Sequence, residues 1–171
     1  MEQQSRRGDE PRATRPRVPA SYGVDSTTPV AAVPWAAVAE QLANARNYWV
    51  VTTRPDGRPH AAPVWGLWLD ERLLFSTDRA SQKARNLTAR PALLAHLESG
   101  DDAVIVEGTA EEVSDRALLA RFADAYEAKY GWRPDVGSEP GVVYALRPRV
   151  ACTWSEGDFA GTGVRWVFQE R

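Results

Sequence analysis

Residues Arg58–Leu74 read RPHAAPVWGLWLDERLL, and Phe75–Leu87 continue as FSTDRASQKARNL. The first stretch is a long run carrying Trp65 and Trp68 and a short apolar return, parted by Asp70-Glu71, the pattern of a β-hairpin. Pro59 and Pro63 cannot donate to a ladder, so part of Arg58–Leu69 belongs at a sheet edge or a bulge. The second stretch completes a returning strand over Arg72–Thr77 and ends it on two hydroxyls, Ser76 and Thr77. It then opens a short helix, Ser81–Ala89, which Pro91 stops. Four cations and no carboxylate fall between Arg79 and Arg90, although the chain carries a formal net charge of -2. Hydroxyls at a strand end, a helix N-terminus and clustered cations are what a protein uses to hold a phosphate. A solvated basic helix face has the same composition, and these residues alone leave both readings open.

Working outward, Pro34 opens a helix over WAAVAEQLANAR. Tyr48–Thr53 is β-branched and aromatic, hence a strand, and Arg54-Pro55-Asp56-Gly57 turns it. Ala92–Glu98 and Ala103–Val113 are two more strands. Ser114 or Asp115 caps a helix over RALLARFADAYEAKY, and residues 131–141 are loop-like. Val142–Trp154 is a strand interrupted near Pro148, and Val164–Phe168 is the last. Strands in consecutive pairs predict a mostly β, antiparallel sheet or barrel with peripheral helices, not a doubly wound parallel fold. Residues 1–33 are polar and rich in Arg and Pro, and are expected to be a disordered or loosely held tail. Residues 34–171 are then the single folded domain.

With 171 residues the chain has enough material for one substantial core. A pI near 5.7 argues against a nucleic-acid partner gripped by a broad basic surface. No apolar run is long enough to span a membrane, and the charged N-terminus is not followed by an apolar segment. The single cysteine, Cys152, excludes an intrachain disulfide and a cysteine metal cluster. A cytoplasmic protein without a nucleic-acid or membrane partner is expected. The two histidines, His60 and His96, lack metal-ligand spacing, so no metal is expected. There is no GxGxxG after a strand, no Walker motif and no nucleophile elbow. No catalytic side chain can be named, and in an enzyme of this composition a bound cofactor carries the hard step. Small residues and proline in Arg58–Gly66 let a flat ligand approach the backbone. Trp65 and Trp68 are either walls for its ring or ordinary core.

The segment RPHAAPVWGLWLDERLLFSTDRASQKARNLTARPALLAHLESGDDAVIVEGTAEEVSD resembles the split β-barrel flavin and deazaflavin proteins. This is the pyridoxamine 5′-phosphate oxidase-like superfamily, in its branch of deazaflavin (coenzyme F420)-dependent reductases. The resemblance rests on x-P-V-W on one strand, S-T ending the next, S-x-K-A-R-N-L opening the helix and V-x-V-E-G later. It implies a split barrel of six or seven strands, forming a homodimer with the cofactor in a groove at the interface. Ala62, Pro63, Val64 and Trp65 would line the ring. Ser76, Thr77, Ser81, Lys83 and Arg85 would hold the phosphate and tail, while Asn86 ties the helix to a strand. Trp166 of the second subunit would cover the ring and Arg165 reach the tail. Arg165-Trp166-Val167-Phe168 departs from the R-x-x-P-type ending of the vitamin B6 oxidases, which points away from that activity. The implied activity is hydride transfer from reduced F420 to an activated double bond of a small molecule. Arg79, Lys83, Arg85 and Arg90 suit a ligand with a phosphate and further carboxylates. An FMN-dependent oxidoreductase remains an alternative, as does a cofactor- or haem-binding protein without turnover.

Overall fold

A computed structural model describes residues 10–24 and 33–169. The strands are β1 (Arg12–Thr14), β2 (Asn47–Thr53), β3 (Pro59–Trp65), β4 (Leu67–Leu69), β5 (Arg72–Asp78), β6 (Ala92–His96), β7 (Asp102–Glu112), β8 (Gly141–Ser155) and β9 (Val164–Val167). The helices are α1 (Trp35–Asn44), α2 (Gln82–Ala89), α3 (Arg116–Tyr130) and the single-turn α4 (Phe159–Thr162). Every strand pairing is antiparallel, in the order β1-β9-β8-β7-β6-β2-β3, with β5 joining β8 and β4 joining β5. The sheet curls but does not close: among the described residues β3 pairs only with β2, and β5 only with β4 and β8. That opening between β3 and β5 is the split of a split barrel.

Local chemistry sets the elements. β2 alternates, with Tyr48, Val50 and Thr52 inward, as a half-buried strand must. α1 buries Trp35, Val38 and Leu42 along one face. The Ser81 hydroxyl caps α2 by accepting from the Ala84 amide at 3.2 Å. Asp115 caps α3 at the Ala117 amide, 2.8 Å, and Gly131 in the left-handed region (φ 73°) closes it. The Asp70-Glu71 turn holds two non-glycine residues at positive φ (49° and 58°), the geometry of a tight two-residue hairpin. Arg121 grips Asp70 through two bonds of 2.9 and 3.0 Å, and the Trp35 indole donates to Glu71. Two cores result. One fills the barrel around Tyr48, Phe75, Leu146 and Trp166; the other lies beneath α3 around Leu74, Phe122 and Val143.

Four expectations change. Arg12–Thr14, expected in the loose tail, adds a strand to β9, because the outer edge of β9 is free to accept one. Beyond it Arg15 donates to the Ala160 carbonyl at 2.8 Å and Tyr22, at the end of a 3-10 turn, meets Phe159 edge-on at 6.0 Å, so this part of the expected tail is also held; residues 1–9 and 25–32 lie outside the described residues. Arg58–Leu69 is two strands, not one: β3 ends at Trp65 and β4 starts at Leu67, parted by Gly66, where a Cβ would come within 2.9 Å of the Leu74 carbonyl oxygen. Val142–Trp154 is not interrupted. β8 runs through Pro148 with a bulge, Glu107 facing Val150 and Gly108 facing Pro148, which leaves Arg149 as the extra residue. Finally, Pro34 is the cap of α1 rather than its first helical residue.

Candidate functional site

The split of the barrel brings together the open edge of β3, the end of β5 and the start of α2. Arg54 and Arg58 are joined by a backbone bond of 2.9 Å. Hydrogen-bonded pairs alternate in an antiparallel ladder, so Thr52–His60, Val50–Ala62 and Tyr48–Val64 are the bonded pairs that follow. Residues 59, 61, 63 and 65 therefore turn their backbone groups to the open edge. Two of them are proline, so that edge offers four carbonyls but only the N–H groups of Ala61 and Trp65. A flat heterocycle with acceptors and donors along one side can pair with such an edge.

The same alternation divides the predicted ring-lining residues. Pro63 and Trp65 are exposed on the outer face, whereas Ala62 and Val64 are half-buried on the inner one. Trp68, by contrast, is core. Ser76 and Thr77 also point to opposite faces, as successive strand residues do. Thr77 is the one that joins the anchor: its hydroxyl donates to Ser81 Oγ at 3.1 Å and accepts from Lys83 Nζ at 3.2 Å. The Ser81 oxygen already accepts two bonds, so its own hydrogen is available to a ligand. Ser76 is half-buried and has no side-chain partner in this cluster.

Lys83 decides the character of the site. It is half-buried, burial holds its ammonium below the usual lysine range, and no carboxylate among the described residues pairs with it. A desolvated cation without a counter-ion is unfavourable unless a ligand supplies the charge. Arg85 is exposed and bonds only neutral acceptors, the Ala80 carbonyl and Gln82. The expected cluster of four cations does not hold together, however. Arg79 is consumed by Glu112 and by Glu139, the latter at 2.9 Å, and Arg90 reaches the Pro55 carbonyl at 3.4 Å.

Asn86 takes its expected structural place. Fully buried, it donates to the Thr52 hydroxyl at 2.9 Å and accepts from Gln82 at 2.7 Å. Thr52 lies 3.5 Å from His60 Nδ1. Burial, then the charges of Arg54 and Lys83, hold His60 below the usual histidine range, so it faces the anchor neutral at pH 7. Neither Gln82 nor Thr52 was singled out by the sequence; their signal was spacing on α2 and register against β3.

Trp166 corrects the sequence reading. It is 3% exposed, packs on Trp35 at 5.4 Å and donates its indole N–H to Thr153 at 3.0 Å. Its ring belongs to its own barrel core and cannot cover a groove in a second subunit. Arg165, its neighbour, lies on the outer face. There it helps line a groove of about 1310 Å³ with Val51, Leu94, Glu107, Val150 and Val167. The registers join these residues into one cross-strand row, Val167–Val150–Glu107–Leu94–Val51, which ends at Ala61 on β3.

A family model described as pyridoxamine 5′-phosphate oxidase matches residues 34–154. The chain belongs to this family. Among solved structures, a conserved hypothetical protein from Mycobacterium tuberculosis is 27% identical, with a TM-score of 0.65 over 75% of this chain and 90% of that one. A protein described as an F420 reductase is also 27% identical, with a TM-score of 0.54 over 66% of this chain and 94% of that one. A pyridoxamine 5′-phosphate oxidase-related, FMN-binding protein from Nostoc punctiforme shares the fold at 20% identity and a TM-score of 0.55, covering 82% and 93% of the two chains. No curated protein matches the chain significantly. The family thus spans flavin- and deazaflavin-binding members on one split-barrel fold. Among the described residues no helix is long and apolar enough to cross a membrane.

Proposed function

We propose that this protein is an F420-dependent reductase acting on a small molecule with an activated double bond. The observation that carries this reading is Lys83, a half-buried cation without a carboxylate partner among the described residues, whose ammonium donates to the Thr77 hydroxyl, itself bonded to Ser81, beside β3's open edge. The residues present fit a phosphorylated ring cofactor. Lys83, the Ser81 hydroxyl and the first amides of α2 bind the phosphate. The Ala61 and Trp65 amides and the edge carbonyls orient the ring, and Pro63 and Trp65 shield its surroundings from water. When bound, the reduced deazaflavin supplies a hydride from its ring carbon, and solvent supplies the proton that completes reduction of the double bond. Arg85, exposed at the start of α2, extends the cationic path beyond the phosphate and suits a tail bearing carboxylates. The 27% identity to an F420 reductase supports the same cofactor.

One observation favours FMN instead. Because Arg79 is held by Glu112 and Glu139, Lys83 dominates the anchor, and a single phosphate satisfies it. In either case a second copy packed on the outer face, over Val51, Leu94, Val150 and Val167, would complete a homodimer with the cofactor at its interface. The test is turnover: reduced F420 with a panel of quinones and enones, followed by the return of oxidised-cofactor absorbance. Oxidation that depends on protein and acceptor supports the reductase. A protein that binds F420 yet never oxidises it is a carrier, and one that turns over only FMN is a flavin enzyme.

A further inference from the structure

The two exposed tryptophans Trp65 (39% exposed) and Trp132 (55%) belong to a single aromatic cluster. Trp65 stacks on Tyr130 with 4.7 Å between centroids and 2° between planes, and it also touches Tyr126 at 6.3 Å. Trp132 meets Tyr126 edge-on at 5.9 Å. The shelf is rigid because the last turn of α3 is bolted to the β3–β4 junction. The Tyr130 hydroxyl accepts from the Gly66 amide at 3.0 Å and lies 2.8 Å from both the Gly66 and Arg46 carbonyls. Lys129 Nζ donates to the Gly66 and Ala43 carbonyls, each at 3.2 Å.

Charge then selects among ligands. The exposed Arg46 guanidinium lies 5.6 Å from the Trp65 ring centroid and 5.9 Å from that of Tyr130, and among the described residues no carboxylate pairs with it. The acids on the same stretch of α3, Asp124 and Glu127, are both held by Arg133 at 2.8 and 3.0 Å. An incoming anion therefore meets an open cation in Arg46, while the two carboxylates of this stretch share the Arg133 guanidinium.

We infer that this shelf binds a planar aromatic anion, its ring on Trp65 and Trp132 and its acid group on Arg46. Trp65 is also the last residue of β3's open edge, so on the reading above, and resting on it, the occupant is the acceptor molecule.

The test uses the full chain without cofactor and three probes: 2-naphthoate, 2-naphthylmethylamine and cyclohexanecarboxylate, titrated by calorimetry. The naphthoate should bind at least fivefold tighter than either control, since it alone has both ring and negative charge. Arg46→Gln should erase the preference over the amine, and Trp132→Ala the preference over the saturated acid, both with unchanged melting temperature. Equal binding of the three probes overturns the proposal. So do variants within twofold of wild type, or a Trp132→Ala variant that loses a dimer, which would make the shelf an interface between copies. Because no deazaflavin is present, failure here leaves the cofactor reading intact. Conversely, naphthoate binding in a chain that ignores F420 keeps the shelf and removes the reductase.

Discussion

Lys83→Met separates an anchor from an ordinary surface lysine by the sign of its two effects. Methionine keeps most of the stem's packing and removes the charge. In the apo-protein the ammonium is half-buried, held below the usual lysine range by that burial, and bonded only to the Thr77 hydroxyl. Removing a desolvated, uncompensated cation should stabilise the fold, read as a rise in melting temperature over wild type. The pH dependence has a definite sign. The folded-state value lies below the unfolded one, so wild type carries its penalty fully at neutral pH. The penalty fades as pH rises through the folded value toward the unfolded 10.5, and the gap between variant and wild type should close over the same range. Ligand binding should move the other way. A charge-assisted phosphate bond contributes about 1.5–3 kcal/mol, so affinity for the phosphorylated cofactor should drop roughly 10- to 150-fold. Thermal melts from pH 6 to 10.5 and fluorescence titrations provide both readouts. A variant that melts below wild type and binds as wild type would show that Lys83 is a structural strut, and the anchor argument would fail.

Three further outcomes follow from the geometry. Thr52→Val and Asn86→Leu should each destabilise by about 1–3 kcal/mol by stranding a buried partner, and the double variant should lose less than the sum, by about 1 kcal/mol, in a denaturant double-mutant cycle. Alanine at three glycines should rank by steric clash in melting temperature. Gly108, whose Cβ would sit 1.8 Å from the Arg147 carbonyl, should suffer most, then Gly66, while Gly100, with nothing within 4 Å, should be unaffected. His60 is depressed in the fold by burial and by the charges of Arg54 and Lys83, so its stability contribution is complete above the unfolded 6.5 and declines as pH falls below it. His60→Gln should flatten that decline between pH 6.5 and 5, above the range in which Asp56, Asp70 and Glu112 titrate; an unchanged melting profile would remove His60 from the buried network.

The strand and helix pattern was readable because the segments are strongly periodic and well punctuated. Asp56-Gly57, Ser81, Pro91 and Asp115 mark boundaries within a residue or two of where the chain turns. What could not be read depended on partners distant in sequence. β1 exists only because β9 presents an unpaired edge. The break at Gly66 lies against the Leu74 carbonyl across the hairpin, and the bulge at Arg149 lies opposite Gly108 on the neighbouring strand. The same division runs through the site. Thr77, Ser81 and Lys83 lie within seven residues of one another, and their convergence was legible. Arg79 belongs to the same run, but its ion pairs come from Glu112 and Glu139. Trp166 was assigned by resemblance alone, and its burial against Trp35 and Thr153 gives it a different task. The shelf of Trp65, Tyr126, Tyr130 and Trp132 left one faint trace, the i, i+4 spacing of Tyr126 and Tyr130 on α3. Its meeting with β3 was invisible without the fold.

The most direct test of the cofactor claim is a parallel titration of the apo-protein with oxidised F420 and with FMN, read by quenching of tryptophan fluorescence and repeated with Lys83→Met. Micromolar or tighter binding of F420, much weaker binding of FMN, and loss of the F420 signal in the variant are expected. Binding of neither by a folded protein, or F420 binding indifferent to Lys83, would contradict the cofactor claim.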